Sequence, residues 1–384
     1  MSYRLRRSTN APTSALAIGS VLAVVLALVV AAMILALSGR SVGDAYLSMY
    51  AASFGTPQGW QATLTRAAPL ALTALAVTTA LRMQLWNIGG EGQLLIGATG
   101  ATAVALALPD LPAPLLLVVM TLAAVAGAGA WTLIASIPRA TLGVNEIVVT
   151  LFLNYIAVRI VSLLVYGPWR DPGAVGFAYS RRVPEGAQIG AIPGTSVSWA
   201  VVVVLVVAVL LWLLMDRSRW GFSVDVAGGN PRLTGYLGFS YTGRVLVVLA
   251  VSGALAGLAG LVQLSGSTGR LQPDLAAGYG YAGILVAFLA GRRIGMVLAV
   301  SVLFAGLLQG GIALQNDGIP SALADVIQAL VIFFVLAVRL AAHYRLGRAG
   351  SDPAGDPPPA APPPPSPVAA SIAGSTATTS VGGR

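Results

Sequence analysis

The sequence predicts an all-α polytopic membrane protein with about ten transmembrane helices. Three observations carry this. Of 384 residues, 57% are hydrophobic and 9% are charged, whereas soluble domains carry about 25% charged residues. Mean hydropathy is +0.83. Uncharged apolar runs recur down the chain at or near the roughly 20 residues that a helix needs to cross about 30 Å of hydrocarbon.

The runs follow in order. The first, 11–39, is too long for the apolar region of a signal peptide and has no clear small-residue cleavage site, so it reads as a retained helix. The second is 67–81, starting a few residues earlier. The third and fourth are 92–109 and 111–138, and the fifth is 147–166, interrupted by Arg159. The sixth is 197–215, the seventh 245–265, and a short eighth covers 281–290. The ninth and tenth are 294–311 and 322–340. Arg159 is expected to snorkel or to pair inside the bundle, with Asp325 as one conceivable partner.

All 22 basic residues are arginine, and they set the orientation, because short cytoplasmic loops hold the excess of basic residues. With the N-terminus inside, thirteen lie in inner segments: Arg4, Arg6, Arg7, Arg82, Arg139, Arg217, Arg219, Arg232, Arg244, Arg292, Arg293, Arg345 and Arg348. Six lie outside: Arg40, Arg66, Arg170, Arg181, Arg182 and Arg270. Ten spans with both termini inside is self-consistent.

On this reading residues 1–14 are a cytoplasmic N-terminus and 15–340 the transmembrane domain. Residues 167–196 form an outer loop rich in Pro and Gly, expected to fold into a small cap. Residues 341–384 are a cytoplasmic tail rich in Pro, Ala, Gly, Ser and Thr, a composition that buries no core. The net charge of +9 comes from loops, and no basic patch is interleaved with aromatics, so nucleic acid is not an expected partner.

Missing residue types exclude chemistries. Without Cys there is no disulfide, thiolate metal site or thiol nucleophile, and a single histidine, His343, argues against a zinc site. Without Lys there is no P-loop, so the chain does not hydrolyse ATP by that route. No catalytic residue, metal or cofactor is expected in this chain.

Two stretches break the hydrophobic rule. Residues 82–93 read RMQLWNIGGEGQ, with Gly89, Gly90 and Gly92 around Glu91 and with Asn87 and Gln93 beside it. This is either a plain loop or a broken helix lining a permeation path, because irregular backbone at membrane depth is tolerated when buried in protein or lining a wet cavity. The second half has a counterpart at 266–291, with Gly278, Gly280 and Gly283 ahead of a short apolar segment. Paired Gly-interrupted segments in two related halves point to a transport site. In GVNEIVVTLFLNY, 143–155, Asn145 caps a helix, and Asn154 either glues helices or lines the path. In the inner loop 216–244, Asn230-Pro231 starts a short helix running to about Tyr236 and stopping at Gly238.

Together NIGGEGQ at 87–93, GVNEIVVTLFLNYIA at 143–157, WGFSVDVAGGNP at 220–231 and GYGYAGILVAFLAG at 278–291 resemble the permease subunits of bacterial ABC importers. The superfamily includes the ribose and branched-chain amino acid permeases, and these motifs resemble its nucleoside/simple-sugar branch. The resemblance covers roughly residues 15–340. It implies a multi-pass protein of the bacterial plasma membrane, with ATP and Mg on a partner ATPase. It also implies a second permease subunit, identical or paralogous, and an extracytoplasmic substrate-binding lipoprotein. Gly228, Asn230, Pro231, Arg232 and Gly238 would form the coupling helix. Asn87, Glu91, Gln93 and Asn154 would stand near the solute path. Leu233 and Thr234 stand where the family often carries a pair of alanines. A rival reading from another class is a proton-coupled carrier with Glu91 or Asp325 as the proton site; a third is a membrane scaffold that transports nothing.

Overall fold

The computed structural model describes residues 3–7, 13–174, 176–342 and 344–348. The Pro-rich stretch from 349 onward and His343 lie outside the described residues, as do 8–12 of the N-terminal segment.

Each of the ten apolar runs forms a helix. They are α1 (Thr13–Leu37), α3 (Pro57–Leu81), α4 (Gly90–Ala107), α5 (Ala113–Leu142), α6 (Glu146–Tyr166), α7 (Ala200–Asp216), α10 (Tyr241–Gln263), α11 (Tyr279–Ala290), α12 (Ile294–Asn316) and α13 (Ser321–Ala342). Three short helices intervene: α2 (Val42–Tyr50), α8 (Arg219–Gly229) and α9 (Pro231–Tyr236). The fold is helical apart from one antiparallel ribbon, β1 (Tyr3–Arg7) with β2 (Tyr344–Arg348), which brings the two ends of the bundle's chain together.

The count of ten crossings needs correction. Among the described residues six helices are long and apolar enough to cross a membrane: Pro57–Leu81, Ala113–Leu142, Glu146–Tyr166, Tyr241–Thr268, Ile294–Asn316 and Ser321–Val338. The pair α7–α8, bent by 67°, makes up to seven. Helix α11 has 12 residues, about 18 Å at 1.5 Å per residue, roughly half a bilayer. Helix α4 carries Glu91 and Gln93 in its first turn, which lowers its hydropathy.

Helix α3 is the central post. Every residue from Ala67 to Ala80 is buried, as expected of a helix without a polar face. It packs against α7, α10, α11 and α12, and α10 in turn crosses α4 and α5. Small residues allow this. A Cβ at Gly260 of α10 would overlap the Leu94 carbonyl of α4, so the two backbones touch directly. Helices α1 and α13 pair at the periphery around Ala31, Leu35, Ala324 and Ile327.

The start of α3 corrects a second expectation. Thr56 accepts the Gly59 N–H at 3.0 Å and Pro57 takes the first helical position, a strong start signal. The helix therefore begins ten residues before Ala67, and Arg66 lies inside it rather than in an outer loop. Its Nε donates to Gln309 Oε1 of α12 at 2.6 Å. Arg159 does not pair with Asp325. It is exposed on α6, while Asp325 is on α13, which packs against α1 and α12. Among the described residues neither forms an ion pair.

The described residues of the 167–196 loop are held by backbone hydrogen bonds. Ser180, Val183 and Ile189 donate their N–H groups to the carbonyls of Leu271 (3.0 Å), Gly269 (3.0 Å) and Ser265 (2.8 Å). Arg270 pairs with Asp171 at 3.3 Å. The loop is thus stitched over the segment that leads into α11.

Candidate functional site

The two glycine-broken stretches meet. After α3 the chain turns through Gln84, which has φ 56, and returns along the bundle to begin α4 at Gly90. After α10 a π-turn over Leu264–Thr268 ends the helix, and the chain re-enters to begin α11 at Tyr279. Ala277 (φ 47) and Gly278 (φ 78) are consecutive left-handed residues that aim the first N–H groups of α11 at α4. Glu91 receives them: Oε1 accepts from Gly278 N and Oε2 from Gly280 N, both at 2.8 Å. A carboxylate at a helix N-terminus satisfies orphan donors and complements the helix dipole. The approach requires Gly280, because a Cβ there would overlap the Glu91 backbone. Gly283 packs one turn on, where a Cβ would lie 2.6 Å from Thr73 Oγ1.

The amides complete the junction. Asn87 donates to Gln93 Oε1 (2.8 Å) and to Ser252 Oγ of α10 (2.8 Å), and Gln93 donates back to Asn87 Oδ1 (2.9 Å). Ser252 Oγ in turn donates a hydrogen bond to the Ala76 carbonyl of α3 at 2.7 Å. Asn154 of α6 accepts the Gly92 N–H (2.8 Å) and donates to the Ile88 carbonyl (2.9 Å) and to the Tyr281 hydroxyl (3.3 Å). Asn87, Gln93 and Asn154 are all buried. Five helices converge here, and the polar groups that break the apolar runs satisfy one another. The structure brings together all four residues singled out as polar pathway candidates. Sequence reasoning missed Ser252, Tyr281 and Thr73, which look like ordinary helix residues until α10, α11 and α3 are placed side by side.

A second constellation lies at the end of the bundle that carries α8 and α9. Arg82, buried at the end of α3, pairs with Asp216 of α7 and with Asp225 of α8, the latter at 3.5 Å. Asp225 also pairs with Arg292, between α11 and α12. Gly228 sits against the same corner, where a Cβ would overlap the Arg82 carbonyl and lie 2.8 Å from Met83 Cα. Beyond it Asn230 caps α9, its Oδ1 accepting the Arg232 N–H at 3.0 Å, with Pro231 first in the helix and Gly238 at φ 74 after it. Helix α9 presents Leu233, Tyr236 and Leu237 to the outside; Tyr236 is 88% exposed. Helix α9 packs on α8, whose Asp225 pairs with Arg82 at the end of α3 and with Arg292 after α11.

Residues 59–336 match the family model for the permease component of the branched-chain amino acid transport system. The glucose ABC transporter permease of Haloferax volcanii is 35% identical over 88% of this chain and 92% of its own length. The guanosine ABC transporter permease of Bacillus subtilis is 33% identical over 85% of this chain and 94% of its own. The nucleoside ABC transporter permease of Lactococcus lactis is 26% identical over 85% and 92%. The chain therefore belongs to the ABC importer permeases of that family, in their nucleoside or sugar branch, as a transport subunit of the cell membrane and not an enzyme.

Proposed function

We propose that this permease carries nucleosides into the cell by alternating access, driven by ATP and Mg bound on a separate ATPase. The contact between Glu91 and the start of α11 is the observation that carries the mechanism. It ties the broken helix of one half to that of the other, so the two halves share one joint. Both termini inside fits the arginine-rich inner segments and the pairing of β1 with β2, which puts the two ends of the bundle on one side. Residues 1–14 and 341–384 then face the cytoplasm, as does the 216–244 loop, and 15–340 form the permease.

The ATPase docks on α9 through Leu233, Tyr236 and Leu237, with Gly228, Asn230, Pro231, Arg232 and Gly238 shaping the element. A substrate-binding lipoprotein delivers solute near the 167–196 cap. A second permease subunit, a copy or a paralogue, closes the path. Asn87, Gln93 and Asn154 hold the joint and sit near the path, with most of their hydrogen-bonding capacity spent on one another and on the backbone. Two of the three relatives above are named for guanosine or nucleosides, which supports the substrate. The Haloferax relative supports glucose as the second reading.

Uptake of labelled guanosine in cells with and without the gene tests the reading. We expect uptake to fall on deletion and to be competed by nucleosides, not by glucose. Lost glucose uptake with intact guanosine uptake moves the substrate to sugar. Uptake that stops on collapse of the proton gradient with ATP maintained overturns the ATP-driven mechanism.

A further inference from the structure

The polar groups of the joint are largely engaged with one another and with the backbone, and further polar groups stand beside them. One exposed stripe of α6 supplies such groups. Tyr155 is 64% exposed, and its hydroxyl makes no hydrogen bond among the described residues. Arg159, one turn further, is exposed and makes no ion pair or hydrogen bond among them. Tyr281 of α11, tied to α6 through Asn154, is 40% exposed and accepts from Asn154, which leaves its own proton free to donate.

Position along the helix sets Tyr155 and Arg159 apart from an ordinary lipid-facing stripe. Tyr155 is the tenth of the 21 residues of α6, about 14 Å from its start, near the middle of a helix about 31 Å long. A phenol hydroxyl there would stand unpaired in hydrocarbon. Arg159 lies about two turns inside the end of α6, whereas snorkelling serves residues near helix ends. Charged groups inside membrane spans face a bundle interior or a wet cavity. The apolar face of α7, with Leu205, Val206, Val209 and Leu210 exposed, shows what a lipid-facing surface of this chain looks like.

We propose that Tyr155, Arg159 and Tyr281 form the solute-facing wall of the pathway. The assignment of nucleoside as solute rests on the reading above. The chemistry suits a flat neutral solute with hydrogen-bonding edges. Two phenol faces can stack on a ring, and a guanidinium offers a planar fork of donors to hydroxyls or carbonyls. No carboxylate shares the stripe, so nothing there selects for a cation.

The chain has no native cysteine, which permits a direct test in membranes carrying the complete importer. Single cysteines are introduced as Tyr155→Cys and Arg159→Cys, with Val206→Cys as the lipid-facing control. Each is treated with a charged, water-soluble methanethiosulfonate, which reacts with the hydrated thiolate. The expected result is reaction at 155 and 159 at least tenfold faster than at 206, slowed severalfold by guanosine. Slowing by glucose but not guanosine keeps the wall and overturns the nucleoside reading. Rates at 155 and 159 no faster than at 206, or fast rates that neither solute alters, overturn the wall. As a second readout, Tyr155→Leu, an apolar replacement at a largely exposed site, should raise the half-saturation concentration for uptake at least fivefold at unchanged membrane abundance. Unchanged half-saturation overturns the wall as well.

Discussion

Glu91 and Gly280 meet backbone to backbone: the carboxylate accepts the glycine N–H at 2.8 Å, and no side chain fits between them. The same carboxylate holds Gly278 with its other oxygen. One side chain thus sets the angle between α4 and α11, and motion of either helix must be transmitted to the other.

Glu91→Gln should separate geometry from charge. The amide keeps the shape but presents N–H to one of the two glycine N–H groups. A buried donor left without an acceptor costs about 1–3 kcal/mol. The expected result is a lowered thermal midpoint of the purified importer and uptake reduced at least tenfold, with membrane abundance retained. Uptake equal to wild type would show that the joint does not depend on both acceptors.

Gly280→Ala tests the close approach. The added methyl overlaps the Glu91 backbone, and neither chain can retreat without moving a helix. Overpacking of this kind costs about 1–3 kcal/mol or more. Transport should be lost. Gly295→Ala, where a Cβ meets nothing within 4 Å, should leave transport and stability unchanged.

These two residues also show what was legible in the sequence. The apolar runs gave all ten principal helices, because a hydrophobic stretch in lipid has little choice but to be helical. NIGGEGQ and the glycines near 280 stood out as interruptions. That they interrupt at the same place in space could not be read, because it depends on how α4, α10 and α11 cross. Arg66 was misplaced because one charge seemed to end an apolar run, while the stronger local signal was Thr56-Pro57. The half-length of α11 was visible in its 12 residues. The partners of Asn154 were not, since Ile88 and Tyr281 are 66 and 127 residues away.

The Arg82 cluster predicts non-additive stability. Asp225→Asn removes one of two carboxylates from a buried guanidinium, and Asp216 still pairs with it. That change should cost about 1 kcal/mol. The double variant Asp216→Asn/Asp225→Asn strands the buried charge and should cost about 3–5 kcal/mol. Thermal unfolding of the single and double variants measures the difference; additive effects would mean that the two acids act independently.

The tip of α9 predicts loss of partner without loss of fold. Tyr236 and Leu237 are exposed, so Tyr236→Glu and Leu237→Glu disturb no core. If the ATPase seats on this tip, charges placed in that apolar contact must be desolvated without a partner, and co-purification should fall at least tenfold. Asn230→Ala acts differently. It removes the cap, costs about 1 kcal/mol locally, and should weaken co-purification only severalfold, because the helix can still form when docked. Deleting 228–238 removes the element altogether and should abolish association. Stoichiometric co-purification of that deletion with its ATPase would defeat the assignment of α9 as the coupling element, and would leave the Arg82 corner as the place to look for the contact.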